Sequence, residues 1–158
     1  MTTQLARRIA IGVVITELVG ILGSGLTAGA IPDWYSTLVK PWFSPPNWLF
    51  APVWTLLFAM MGIAFGLIWD TQTKVDKDKA YSAFYIQLIL NFLWSIIFFG
   101  VKQPFLAFLE ILMLGLFISI CIQEFLKINR TAGLLLVPYL GWVSFATILN
   151  LAIVILNF

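Results

Sequence analysis

Histidine is absent from this 158-residue chain, and cysteine occurs once. Without histidine there is no imidazole acid–base catalyst, no imidazole metal site and no histidine-ligated haem. The single thiol, Cys121, makes neither an intrachain disulfide nor a cysteine-cluster metal site. No metal is expected, and no cofactor is required. Charge is scarce as well, with 10% charged residues and a net charge of +2. Soluble domains carry about 25% charged residues and about 45–50% apolar ones. The nine basic residues form no patch, so no nucleic-acid partner is expected. What remains is apolar: 61% hydrophobic and 16% aromatic, with mean hydropathy +1.01. A water-soluble fold of this size leaves too much surface exposed to hide that composition. The solvent that suits it is lipid.

Apolar runs alternate with short polar breaks. The runs cover residues 9–28, 48–69, 81–100, 105–126 and 133–156. Each has roughly the 20 residues that a helix needs to cross the hydrocarbon core. Backbone groups must be satisfied within lipid, which makes helices the reading. The expected fold is all-α, a bundle of five transmembrane helices forming one domain over residues 1–158. The first run lacks a small-residue cleavage site after a short apolar core. It is therefore expected to be a retained span and not a signal peptide.

Five spans put the termini on opposite sides. Arg7, Arg8, Lys74, Lys77, Lys79, Lys127 and Arg130 fall on the side of the N-terminus, and only Lys40 and Lys102 on the other. The positive-inside rule then places the N-terminus in the cytoplasm, with the C-terminus and the first loop outside.

That loop, residues 29–46, is longer than a simple connector. Asp33 is placed to cap a short helix carrying Trp34, Tyr35 and Leu38. Ser44 is placed to cap the second span, with Pro45 in its first turn. A stiff aromatic segment over one end of the bundle reads equally as a lid or as a membrane-surface anchor.

Five of the seven tryptophans, Trp34, Trp42, Trp48, Trp54 and Trp69, crowd into one part of the chain. An interfacial aromatic belt explains Trp48 and Trp69. Trp54, Trp94 and Trp142 lie inside their runs, where an indole N–H needs a partner. Helical spacing groups Trp54, Phe58 and Met61 on one face, Asn91, Trp94, Ser95 and Phe98 on a second, and Tyr139, Trp142, Ala146 and Leu149 on a third. Small Ala146 leaves room between larger rings. Converging faces would make an aromatic pocket for a flat apolar ligand; ordinary helix packing with aromatic filler is the competing reading.

Two acids lie within spans, Glu17 in the first and Glu110 in the fourth, and an intramembrane acid is a functional candidate. Each also has a plain reading, a packing contact for Glu17 and a hydrated interfacial site for Glu110. Gly12, Gly20, Ser24, Gly25 and Gly29 give the first span spacings that permit close helix contact, within the chain or between two copies.

The run Trp34-Tyr35-x-x-Leu38-x-Lys40-Pro41-Trp42-Phe43-x-Pro45-Pro46-x-Trp48-x-Phe50-x-Pro52-Val53-Trp54-x-x-Leu57 resembles the signature of the TspO/translocator protein family. The similarity continues at Met61-Gly62 and Trp69. It returns at Leu90-Asn91-x-x-Trp94-Ser95-x-x-Phe98-Phe99 and at Pro138-Tyr139-x-x-Trp142-x-x-x-Ala146-x-x-Leu149-Asn150. It covers nearly the whole chain in one colinear order.

The resemblance implies a five-helix membrane receptor or sensor, often a homodimer, that binds protoporphyrin IX-like tetrapyrroles and other flat apolar ligands under the first loop. It implies ligand contacts at Tyr35, Pro45, Trp54, Phe58, Trp94, Ser95, Phe98, Trp142 and Ala146, and Asn91 joins them from the helical face above. Light-dependent porphyrin degradation in some bacterial members implies Trp54 and Trp142 as catalytic positions here. No nucleophile–base pair supports ordinary catalysis. Transport of tetrapyrroles or sterol-like lipids is a third reading, though no inverted repeat or paired intramembrane charge favours it.

The chain departs from the family at Lys40-Pro41-Trp42-Phe43, where Lys-Pro-Ser-Trp is common. No Lys or Arg follows Tyr139, so the sterol-recognition pattern is incomplete and a bacterial or archaeal type of member is indicated.

Overall fold

The computed structural model of the chain describes residues 3–157, the side chain of Leu26 excepted. Helix α1 spans Thr3–Asp33, α2 Asn47–Asp70, α3 Asp78–Ser95, α4 Pro104–Ile128, α5 Arg130–Leu135 and α6 Val137–Asn157. Five helical stretches are long and apolar enough to cross a membrane, α5 and α6 together making the last. The protein is an all-α, multi-pass membrane protein.

Three details differ from the sequence expectation. First, α1 continues five residues past Ala28, through Gly29 and Ala30 to Asp33. Asp33 therefore ends a helix; the turn that follows, Tyr35–Thr37, has Trp34 at its cap position and no side-chain cap. Second, α2 starts at Asn47 with Pro46 in an extended conformation (φ −63°, ψ 144°), and Ser44 caps nothing. Ser44 and Pro45 each precede a proline, which disfavours helical backbone at both and delays the start. Third, the last span breaks at Leu136 between α5 and α6. Pro138 has no N–H to give to the carbonyl four residues back, so the helix cannot run through unbroken.

Helices α1 and α2 lie against each other along small residues. A Cβ at Gly12 would meet the carbonyl of Gly62, and one at Gly62 would meet the backbone of Val13. Gly66 faces Ile9 as closely, and Thr16 donates from Oγ1 to the Phe58 carbonyl at 2.7 Å. At the end of the bundle that holds the N-terminus, Arg8 pairs with Asp70 at 2.8 Å and sits over the Trp69 ring. Lys77 donates from Nζ to the carbonyls of Ile68 and Thr71, both at 2.7 Å, closing the C-terminal end of α2. Burial pushes the Lys77 pKa down, Arg8 adds to that, and Asp70 opposes it. Above this end, Phe65, Phe84 and Phe125 stack in an aromatic core.

At the opposite end the loop after α1 folds over the bundle. Tyr35 is buried against Phe98 and Phe99. Asn157 of α6 clasps the loop: its Oδ1 accepts from Val39 N–H at 2.8 Å and its Nδ2 donates to the Val39 carbonyl at 2.9 Å. In the departing Trp42-Phe43 pair, Phe43 turns inward against Phe145 while Trp42 is 95% exposed. Trp42 and the exposed Trp48 suit an interfacial belt.

Candidate functional site

Beneath that loop lies a cavity of about 390 Å³, walled by α1, α2, α3, α4 and α6. Tyr35 roofs it. Burial pushes the Tyr35 phenol pKa up, with the Ser44 hydroxyl pulling the other way. Helix α2 contributes Trp54 and Phe58, whose rings lie 5.6 Å apart. Helix α3 contributes Asn91, Trp94 and Ser95, and the turn that follows it Phe98, with Trp94 stacked on Phe98 at 4.9 Å. Helix α6 contributes Trp142 and Ala146, with Trp142 edge-on to Phe50 at 5.9 Å. Nine of the ten expected ligand-binding residues thus share one cavity. The tenth, Pro45, is not in its lining. It is held in the extended Pro45-Pro46 segment ahead of α2 and lies outside the walls.

The local reasons are concrete. The last turn of α3 widens into a π-helical turn, Ile96–Gly100, closed by Val101 N–H on the Ile96 carbonyl at 2.7 Å. Such turns cluster at functional sites because they re-aim side chains. This one sets Phe98 against both Tyr35 and Trp94. The Trp94 indole donates to Asn150 Oδ1 at 3.2 Å, and Asn150 Nδ2 donates to the Pro104 carbonyl at 2.9 Å. Asn91 Nδ2 donates to the Tyr139 hydroxyl at 2.9 Å. Trp142 Nε1 is buried and has no hydrogen-bond partner among the described residues. Unpaired buried donors are costly, and a ligand acceptor would relieve this one.

Asn150 is a tie between three helices. Asn150→Leu is expected to leave the Trp94 N–H and the Pro104 carbonyl unpaired and to lower stability by about 2 kcal/mol. Thermal unfolding in detergent, followed by circular dichroism, measures it; an unchanged midpoint would contradict this role.

Met61 and Tyr139 share helical faces with cavity residues but lie in the core, 0% and 1% exposed. Glu110 is also outside the lining, its carboxyl oxygens buried and unpartnered among the described residues. Conversely, the sequence reading missed the contribution of α1: Gly20, Gly23, Ser24 and Thr27 all line the cavity, and so does Glu17. The signal was present in the small-residue stripe. Gly20 lies under the Phe58 ring and Gly23 against the Ser95 hydroxyl, so the stripe makes room as well as contact.

Five apolar spans, a clasped loop and an aromatic cavity beneath it define a helical membrane protein built around an internal small-molecule site. Within that class the comparisons are specific. The TspO/MBR family pattern matches residues 12–156. The tryptophan-rich protein TspO of Chlorobaculum tepidum is 45% identical over 140 residues, 88% of this chain and 89% of that protein. The protein of the same name from Archaeoglobus fulgidus is 42% identical over 139 residues, 88% of this chain and 90% of its own length. The tryptophan-rich sensory protein of Cereibacter sphaeroides is 36% identical, covering 85% of each chain. The chain belongs to the TspO/MBR family.

Proposed function

We propose that the protein is a membrane receptor of the sensory type that binds porphyrins, with protoporphyrin IX as the representative ligand, and other flat apolar molecules. The observation that carries this reading is the cavity. Aromatic rings line it on three helices, and one of them, Trp142, has a buried unpaired N–H. Stacking and burial of apolar area supply most of the affinity in such a site. The Lys40 ammonium lies outside the lining, 4.7 Å from the Tyr35 ring centroid and donating to the Leu38 carbonyl, and would meet a ligand carboxylate that reaches past Tyr35. The name of the Cereibacter sphaeroides relative supports the sensory role. The basic residues favour a cytoplasmic N-terminus and an outward-facing first loop. A homodimer in the bilayer completes the proposal.

Protoporphyrin IX titrated into the purified protein in detergent is expected to quench tryptophan fluorescence saturably; no saturable quenching would sink the reading. A second reading, light-dependent degradation of the porphyrin, has one observation in its favour: Trp54 and Trp142 line the same cavity. Under illumination it requires a new product spectrum that disappears in the Trp54→Phe, Trp142→Phe double variant, whereas simple binding leaves the porphyrin spectrum intact.

A further inference from the structure

Glu17 lines the cavity and is half-buried, and its carboxyl has neither a hydrogen bond nor an ion pair among the described residues. Among the described residues it is the only acidic or basic side chain in the lining; the other polar groups are neutral hydroxyls, amides and indoles. Its position follows from α1. The preceding residue, Thr16, bonds to the Phe58 carbonyl, and Gly20, one turn on, faces the Phe58 ring. Glu17 therefore stands at the end of the cavity farther from the covering loop. Ile31, next to the covering loop, is fourteen residues further along the same helix, about 21 Å at 1.5 Å per residue. On the loop that covers that end, Lys40 sits over the ring of Tyr35, which is in the lining. The lining thus carries a single carboxyl, while the Lys40 ammonium lies outside it on the covering loop, donating to the Leu38 carbonyl at 3.3 Å.

A carboxyl in the middle of a span without an internal partner is costly to retain for packing alone. A ligand cation would supply the missing charge-assisted hydrogen bond. We propose that Glu17 anchors a protonated amine or other cationic nitrogen at the end of a flat apolar ligand farther from the covering loop. A ligand carboxylate is repelled there and turned toward Lys40, which fixes the direction of an amphipathic guest, a tetrapyrrole included. This inference rests on the cavity being a ligand site.

The test uses three flat probes of similar size at neutral pH: 9-aminoacridine, a cation; anthracene, neutral; and anthracene-9-carboxylate, an anion. Binding is read by tryptophan quenching in one nonionic detergent, for the wild type and Glu17→Gln. The variant is expected to bind the cation about tenfold more weakly, anthracene within about twofold of wild type, and the anion more tightly. Unchanged affinity for 9-aminoacridine, with anthracene still bound, overturns the anchor and leaves the cavity reading standing. An equal loss for all three probes assigns Glu17 a structural role and also overturns it. If no probe binds the wild type, the cavity reading fails and the anchor fails with it.

Discussion

Gly62→Ala is expected to lower the stability of the protein by about 3 kcal/mol, because the added methyl group meets backbone and not a movable side chain. At Gly62 the obstacle is the main chain of Val13, and at Gly12 it is the Gly62 carbonyl. Neither helix can yield without separating along the seam that also holds the Thr16–Phe58 hydrogen bond. Gly25 and Gly29 belong to the same stripe, yet a Cβ at either meets nothing within 4 Å. Gly25→Ala and Gly29→Ala are expected to raise stability by about 0.5 kcal/mol each, since alanine has the better helix propensity and a narrower unfolded ensemble. Thermal unfolding of the three single variants in one detergent checks the pattern. Equal effects at Gly62 and Gly25 would show that the α1–α2 seam is not as described.

Removing both pocket indoles, Trp54→Ala with Trp142→Ala, is expected to weaken the proposed protoporphyrin IX binding about a hundredfold. That is about 3 kcal/mol, split between lost stacking and lost apolar contact. Trp54 packs on Phe58 and Tyr139 and Trp142 on Phe50 and Phe145, so the cavity walls keep most of their rings when both are cut. The paired control is Trp42→Ala with Trp48→Ala. Those residues are 95% and 71% exposed and lie outside the cavity lining, so binding is expected to stay unchanged. Porphyrin Soret titration supplies the readout, because tryptophan quenching itself changes when tryptophans are removed. A double pocket variant that binds like wild type would place the porphyrin elsewhere.

The faces of α2, α3 and α6 were legible in the sequence because aromatic and polar residues stand out against aliphatic ones. Trp54 with Phe58, and Asn91 with Trp94, Ser95 and Phe98, recur at helical spacing and do meet in one cavity. The face of α1 was not legible. It is built from Gly20, Gly23, Ser24 and Thr27, and small residues serve equally for close packing and for leaving space. The same spacing that joins Gly12 to Gly62 leaves Gly25 facing nothing. Proline misled locally: Pro45 looked like the first turn of the second span, but Pro46 after it disfavours helical backbone there, and Pro45 lies before the helix and outside the cavity lining.

By itself the sequence determined the solvent, the number of spans and the family, since each follows from run length, scarcity of charge and a colinear motif. Even the missing histidine constrains the proposed site: a metalloporphyrin bound there would have no imidazole ligand from this chain. Only the tertiary structure decided which apolar residues face inward, where Glu17 stands and which indole lacks a partner. The physical reason is the lipid solvent. Outward-facing and inward-facing side chains of a membrane helix are equally apolar, so hydrophobic periodicity does not mark the buried side. Contact between helices has to mark it instead.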